Sequence, residues 1–127
     1  MIKIYQKMNK ISYGSQTIQK DDIKSVVKTL NSKFLTQGSK TLEFEKKISS
    51  FVRAKYAVTT SSGTAGLHIA CLSLGISKKD IVWTVPFTWV ASANSALMCG
   101  AKIDFVDVDD ENFNISVILL RNKLIEA

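Results

Sequence analysis

The sequence predicts an α/β fold with a partial, mostly parallel sheet and flanking helices. Helical periodicities alternate with short β-branched or aromatic runs, the connections between them are short, and no internal repeat or low-complexity tract interrupts the alternation. At 127 residues, 46% hydrophobic and 22% charged, the chain has the composition of an ordinary globular protein with enough apolar material for a core.

Taken in order, Ile23, Val26, Val27 and Leu30 fall at i, i+3, i+4 and i+7 and predict an amphipathic helix. Residues 31–40, "NSKFLTQGSK", break that pattern with polar residues and Gly38, so they are expected to form a loop. Phe44, Ile48, Phe51 and Val52 give a second helical stripe, and "YAVTT", 56–60, has the β-branched and aromatic content of a short buried strand. A helix from about Thr64 to Leu74 follows. "DIVWTV", 80–85, predicts a second strand, "TWVASANSALMCG" a helix ending at Gly100, and "KIDFVDV", 102–108, a third strand. A last amphipathic piece covers 116–126. Each crossover helix must return the chain to the same end of the sheet, which makes the expected strands parallel. The final helix stops at "RNKLIEA" without a glycine cap or closing strand, and an open apolar edge needs a further strand or partner. The expectation is the front portion of something larger.

Composition excludes several classes. The net charge is +6, but the seventeen Lys and Arg are spread from Lys3 to Lys123, and pairs such as Lys46-Lys47 and Lys78-Lys79 read as solvated faces. With no base-reading helix and no aromatic-basic alternation, nucleic acid is not an expected partner. No run approaches the roughly 18 apolar residues of a membrane span, and "MIKIYQKMNKIS" lacks the apolar block of a secretory signal. No membrane partner is expected, and the expected location is the cytoplasm. Cys71 and Cys99 lie in predicted helices without metal-type spacing and are expected to be reduced, buried thiols. "DVDDENFN", 107–114, lacks the glycine and distal glutamate of a calcium loop, so a polar turn and no metal are expected.

The most informative junction is "VTTSSGTAGLHIA", 58–70. A strand is expected to end at Thr60, Ser61, Ser62 and Gly63 to turn, and Thr64 to begin a helix whose first amides have no intrahelical partners. Such an end attracts anions, and Gly63 allows a ligand close to the backbone. The alternative is that Ser62 or Thr64 simply caps the helix. No lysine follows the glycine as a nucleotide-triphosphate loop requires, and there is no G-x-G-x-x-G, which leaves a small phosphate site. At the next strand end, Phe87 and Trp89 open a helix otherwise rich in Ala and Ser. An indole there offers a flat face to a planar heteroaromatic ring, or packs as core. His68, one turn after Thr64, reads as a packed residue rather than a base.

A phosphate carrying a flat ring describes pyridoxal 5′-phosphate (PLP), and the sequence resembles the N-terminal part of the PLP-dependent sugar-nucleotide aminotransferases of the DegT and StrS type. The likeness runs from about Tyr13 to the end, through the L-T-Q-G loop, the S-S-G-T-A turn and the P-F-T-W-V-A segment in this order. It is similar to transaminases making amino-dideoxy sugars, such as the pseudaminic acid precursor, and to those acting on lipid A pentoses. The resemblance implies the first part of the fold-type-I PLP-dependent transferase large domain. Residues 1–40 would be an N-terminal helix and substrate-loop segment, and 41–127 the start of the PLP-binding domain.

The resemblance further implies that Gly63 and Thr64, with the Ala65 amide, hold the cofactor phosphate, and that Trp89 stacks on the pyridine ring. Tyr13 and the loop Lys33, Phe34, Leu35 and Thr36 would line the sugar-nucleotide site, with a packing tyrosine and a solvated lysine as the competing readings. The implied reaction moves an amino group from an amino acid, typically glutamate, to a nucleotide-linked keto sugar, for cell-surface polysaccharide or amino-sugar synthesis. A homodimer is implied for the complete enzyme. The family's Schiff-base lysine and pyridinium aspartate would lie beyond Ala127, so no catalytic residue is assigned here and these residues alone are expected to be inactive. A regulator retaining the PLP-transferase fold, and an α/β interaction module without ligand, remain as alternatives.

Overall fold

A computed structural model describes residues 14–36 and 38–127. The chain divides into two compact units between Tyr56 and Ala57.

Among its described residues the first unit carries two helices. α1 spans Lys20–Leu30, and α2 spans Ser39–Phe51. α1 starts ahead of its apolar stripe because Asp22 Oδ2 accepts the Gln19 N–H at 2.8 Å, and Asp21 and Asp22 place negative charge where the helix dipole favours it. In α2, Glu43 lies 2.5 Å from Lys40 Nζ and 3.1 Å from Lys47 Nζ. Hydrogen bonds from Lys40 and then Lys47 hold its carboxyl below the usual range. α2 closes with Arg53 at φ 55°, where the Arg53 N–H reaches Ser50 O and the Ala54 N–H reaches Ser49 O at 2.9 Å. This is the Schellman pattern, built here on a residue other than glycine.

The second unit contains α3, Gly63–Ser73; β1, Ile81–Thr84; α4, Ala91–Leu97; β2, Lys102–Phe105; and α5, Val117–Glu126. β1 and β2 are parallel, with Ile81 opposite Lys102 and Trp83 opposite Asp104, and α4 is the crossover between them. α4 packs against α3 and against both strands. Its buried residues Ala91, Ser95 and Ala96 are small, so the neighbouring backbones can approach closely; Ala101 and Val106 complete the apolar interior. Gly75 at φ 76° and Gly100 at φ 84° end α3 and the α4 segment in the left-handed region, with the Ile76 N–H on Cys71 O and the Ala101 N–H on Ala96 O. Lys123 ties α5 to β2: its Nζ reaches Asp104 Oδ2 and Phe105 O and lies over the Trp83 ring. The buried Trp83 Nε1 has no hydrogen-bond partner among the described residues.

Two expectations for the sheet require correction. The segment 56–60, expected as a buried first strand, is not a strand, and the described sheet has two strands rather than three. Tyr56 and Val58 are 75% and 76% exposed. β-branched composition favours an extended backbone, but a strand exists only when a neighbour completes its ladder, and neither β1 nor β2 runs beside this segment. The strand expected over 102–108 ends at Phe105. There Asp107 Oδ1 accepts the Val108 N–H at 2.8 Å, and Val108 makes an isolated antiparallel bridge to Ile115. Within the intervening turn, Asp109 Oδ1 accepts the Glu111 and Asn112 N–H groups, which is the polar-turn role read from the sequence. The two cysteines are half-buried rather than buried.

Candidate functional site

Three hydrogen bonds converge on Ser62, immediately before α3. Its Oγ accepts the Ala65 N–H at 3.1 Å. Its carbonyl accepts the Gly66 N–H at 3.0 Å and the Thr60 Oγ1 hydroxyl at 2.9 Å. Ser62 is therefore the N-cap, as one of the two sequence readings had it. The cap does not exhaust the helix end, because the N–H groups of Gly63 and Thr64, at the first two helical positions, have no intrahelical acceptor. The Ala65 amide is already engaged by Ser62 Oγ, which leaves Gly63 and Thr64 as the donors free of the cap.

Gly63 does not owe its identity to a left-handed backbone, and a Cβ built there meets nothing within 4 Å. Neither strain nor packing within the described residues requires glycine, so the absent side chain simply leaves the space outside α3 open. Gly66 differs: a Cβ there would come 3.3 Å from Thr60 Oγ1, closer than comfortable contact.

Trp89 lies between the carboxyl end of β1 and the start of α4. It is 77% exposed among the described residues. Its neighbour Phe87 is also exposed and meets the Phe113 ring at 6.1 Å between centroids. No hydrogen bond or ring contact joins Trp89 to the Ser62–Ala65 turn among the described residues; what they share is position, each at the N-terminal end of one of two helices that pack together. His68 is half-buried within α3.

In the first unit, Lys33 to Thr36 lie in the α1–α2 connection. Lys33 Nζ sits 5.4 Å from the centre of the Phe34 ring, and Ser32 Oγ donates to Phe34 O at 3.2 Å. Phe34 and Leu35 project outward. Gly38 closes the loop: a Cβ there would fall 2.5 Å from Phe34 O, so only glycine admits this path. Tyr13 lies outside the described residues.

The thiols are poor candidates for chemistry. Cys71 Sγ donates to Ser95 Oγ and Cys99 Sγ to Ser95 O. Burial first, and then the neighbouring Cys71, pushes the Cys99 thiol up, which disfavours the nucleophilic thiolate. Among the described residues no helix is long and apolar enough to cross a membrane.

Comparison with known proteins places the chain in an aminotransferase family. The model of the DegT/DnrJ/EryC1/StrS aminotransferase family matches residues 16–127, and the chain belongs to that family. It is 39% identical over 116 residues to the UDP-4-amino-4,6-dideoxy-N-acetyl-beta-L-altrosamine transaminase of Campylobacter jejuni, covering 91% of this chain and 30% of that protein. The fold superposes on Helicobacter pylori PseC, an aminotransferase involved in the biosynthesis of pseudoaminic acid, with a TM-score of 0.79 and 31% identity, over 87% of this chain and 30% of PseC. It also matches the PLP-form of Spr1654 from Streptococcus pneumoniae, a sugar-aminotransferase candidate, with a TM-score of 0.83 and 29% identity, over 88% of this chain and 29% of the other. The resemblance read from the S-S-G-T-A and P-F-T-W-V-A segments thus holds at the level of family and fold. The chain spans about three tenths of the length of these relatives.

Proposed function

We propose that the complete protein is a PLP-dependent aminotransferase that transfers an amino group from an amino acid, with glutamate the expected donor, to a keto sugar carried on a nucleotide. The observation that carries this reading is the family match across the capped but still open N-terminus of α3. Cell-surface polysaccharide or amino-sugar synthesis in the cytoplasm, and a homodimer, complete the proposal.

The described residues fit PLP on structural grounds. Two amides at the start of α3 lack intrahelical acceptors, the Gly63 position is open, and Trp89 presents an uncovered ring. When bound, PLP supplies the electron sink that lets an amino group leave one carbon and join another. The Gly63 and Thr64 N–H groups would hold the phosphate, with Ala65 fixed behind them by Ser62, and Trp89 would stack on one face of the ring. Tyr13, which lies outside the described residues, and Lys33 to Thr36 are the proposed contacts to the sugar nucleotide. No lysine among the 127 residues is assigned the proton-shuttling role; the roles proposed for these residues are to bind and orient the cofactor. Residues 1–40 form the substrate-loop segment in this proposal, and 41–127 open the cofactor domain.

The test is equilibrium dialysis of the purified complete protein against PLP, followed by glutamate and detection of 2-oxoglutarate. Retained PLP and stoichiometric 2-oxoglutarate are expected. Protein that retains no PLP would overturn the assignment, while retention without 2-oxoglutarate would leave a PLP-fold regulator.

A further inference from the structure

We infer that Thr60 is a positioning residue for the anion-binding end of α3, acting through the peptide between Ser62 and Gly63; this rests on the cofactor reading above. The Ser62 carbonyl and the Gly63 N–H belong to one planar trans peptide unit, so the two groups point in opposite directions. Whatever fixes the carbonyl also aims the N–H. The carbonyl is held twice, by the Gly66 N–H at 3.0 Å and by the Thr60 hydroxyl at 2.9 Å.

The helix needs only the first of these bonds. Ser62 O already accepts its regular intrahelical partner, and Ser62 Oγ already caps Ala65, so the Thr60 hydroxyl is surplus to the backbone accounting of α3. Its consequence falls on the other end of the peptide. A second donor on the carbonyl restricts its tilt and polarises the amide, which makes the Gly63 N–H a better-aimed and stronger donor to a phosphate oxygen. Thr60 suits this because its branched Cβ limits χ1 to few rotamers. Gly66 suits it too, since a Cβ there would come 3.3 Å from Thr60 Oγ1 and press the hydroxyl out of line.

The experiment compares the complete native protein with Thr60→Val, Thr60→Ser and Gly66→Ala, measuring affinity for PLP and for pyridoxal, which has the ring without the phosphate, together with thermal unfolding. Thr60→Val removes one hydrogen bond at nearly constant shape and should weaken PLP binding about five-fold. Pyridoxal affinity and the unfolding midpoint should stay native, and Thr60→Ser should restore PLP binding. Native PLP affinity in Thr60→Val, or equal losses for PLP and pyridoxal, would overturn the inference while leaving the cofactor site standing. If the native protein binds neither PLP nor inorganic phosphate, the cofactor reading itself fails and Thr60 falls with it. Should Thr60→Val fail to fold, Gly66→Ala decides: a PLP-selective loss supports the positioning role, and native PLP affinity removes it.

Discussion

Lys123 and Asp104 form an ion pair that joins α5 to β2, with Nζ 2.5 Å from Oδ2. The same ammonium donates to Phe105 O at 2.7 Å and lies 5.4 Å from the centre of the Trp83 ring, directly across the sheet register from Asp104. The Lys123 hydrogen bond, followed by that from the Phe105 N–H, holds the Asp104 carboxyl below its ordinary value. A carboxylate depressed in the folded state contributes stability above its unfolded pKa of about 3.9 and loses it as pH falls through the lower folded value. Asp104→Asn should therefore flatten the acid side of the stability profile. Urea midpoints between pH 7 and pH 3 would check this, and parallel native and variant curves would refute it.

Ser62→Ala removes the N-cap acceptor of Ala65. The expected loss of folding stability is about 1 kcal/mol, read from chemical denaturation. A change within the scatter of surface substitutions would mean that the Gly66 bond to Ser62 O holds the turn by itself.

Trp89 separates binding from folding. Because it is 77% exposed, Trp89→Ala should leave the unfolding midpoint nearly unchanged. In the complete protein it should weaken PLP retention by about 1 kcal/mol through lost ring stacking. Dialysis and melting curves on the same samples distinguish the two, and native retention would remove Trp89 from the site.

Arg53 occupies a left-handed position at the end of α2, with φ 55°. For a residue with a side chain that conformation costs about 1–2 kcal/mol, and glycine returns part of this as extra freedom in the unfolded chain. Arg53→Gly is expected to stabilise the protein by about 0.5–1 kcal/mol, visible as a raised denaturation midpoint. A lowered midpoint would show that the arginine side chain contributes more than its backbone strain removes.

The sequence was most legible where structure is local. The helices followed from the i, i+3, i+4 spacing of residues such as Ile23, Val26, Val27 and Leu30, and Gly100 marked a helix end through the one property that sets glycine apart. The segment 56–60 misled because Tyr56 and Val58 advertise a preference for extension, whereas pairing depends on a neighbour that local composition does not specify. At the site, the serine–glycine–threonine junction identified both a cap and exposed amides, but spacing could not divide the labour between them. That division appears only when Ser62 Oγ is seen to engage Ala65 and spare Gly63 and Thr64. Thr60 escaped notice for the same reason. It read as the last residue of a strand, and the partner of its hydroxyl is set by the turn that follows. Gly38 had a visible signal as the breaker in "LTQG", while its cause, the close approach of Phe34 O, is three-dimensional.

The small-residue interior around α4 carries a calorimetric consequence. Alanines and one valine make up the buried apolar set, while Leu67, Leu72, Leu97 and Met98 meet solvent in the described chain. Unfolding these residues would newly hydrate little hydrocarbon, so their contribution to the heat-capacity increment should fall below the usual 12 cal/mol/K or so per residue.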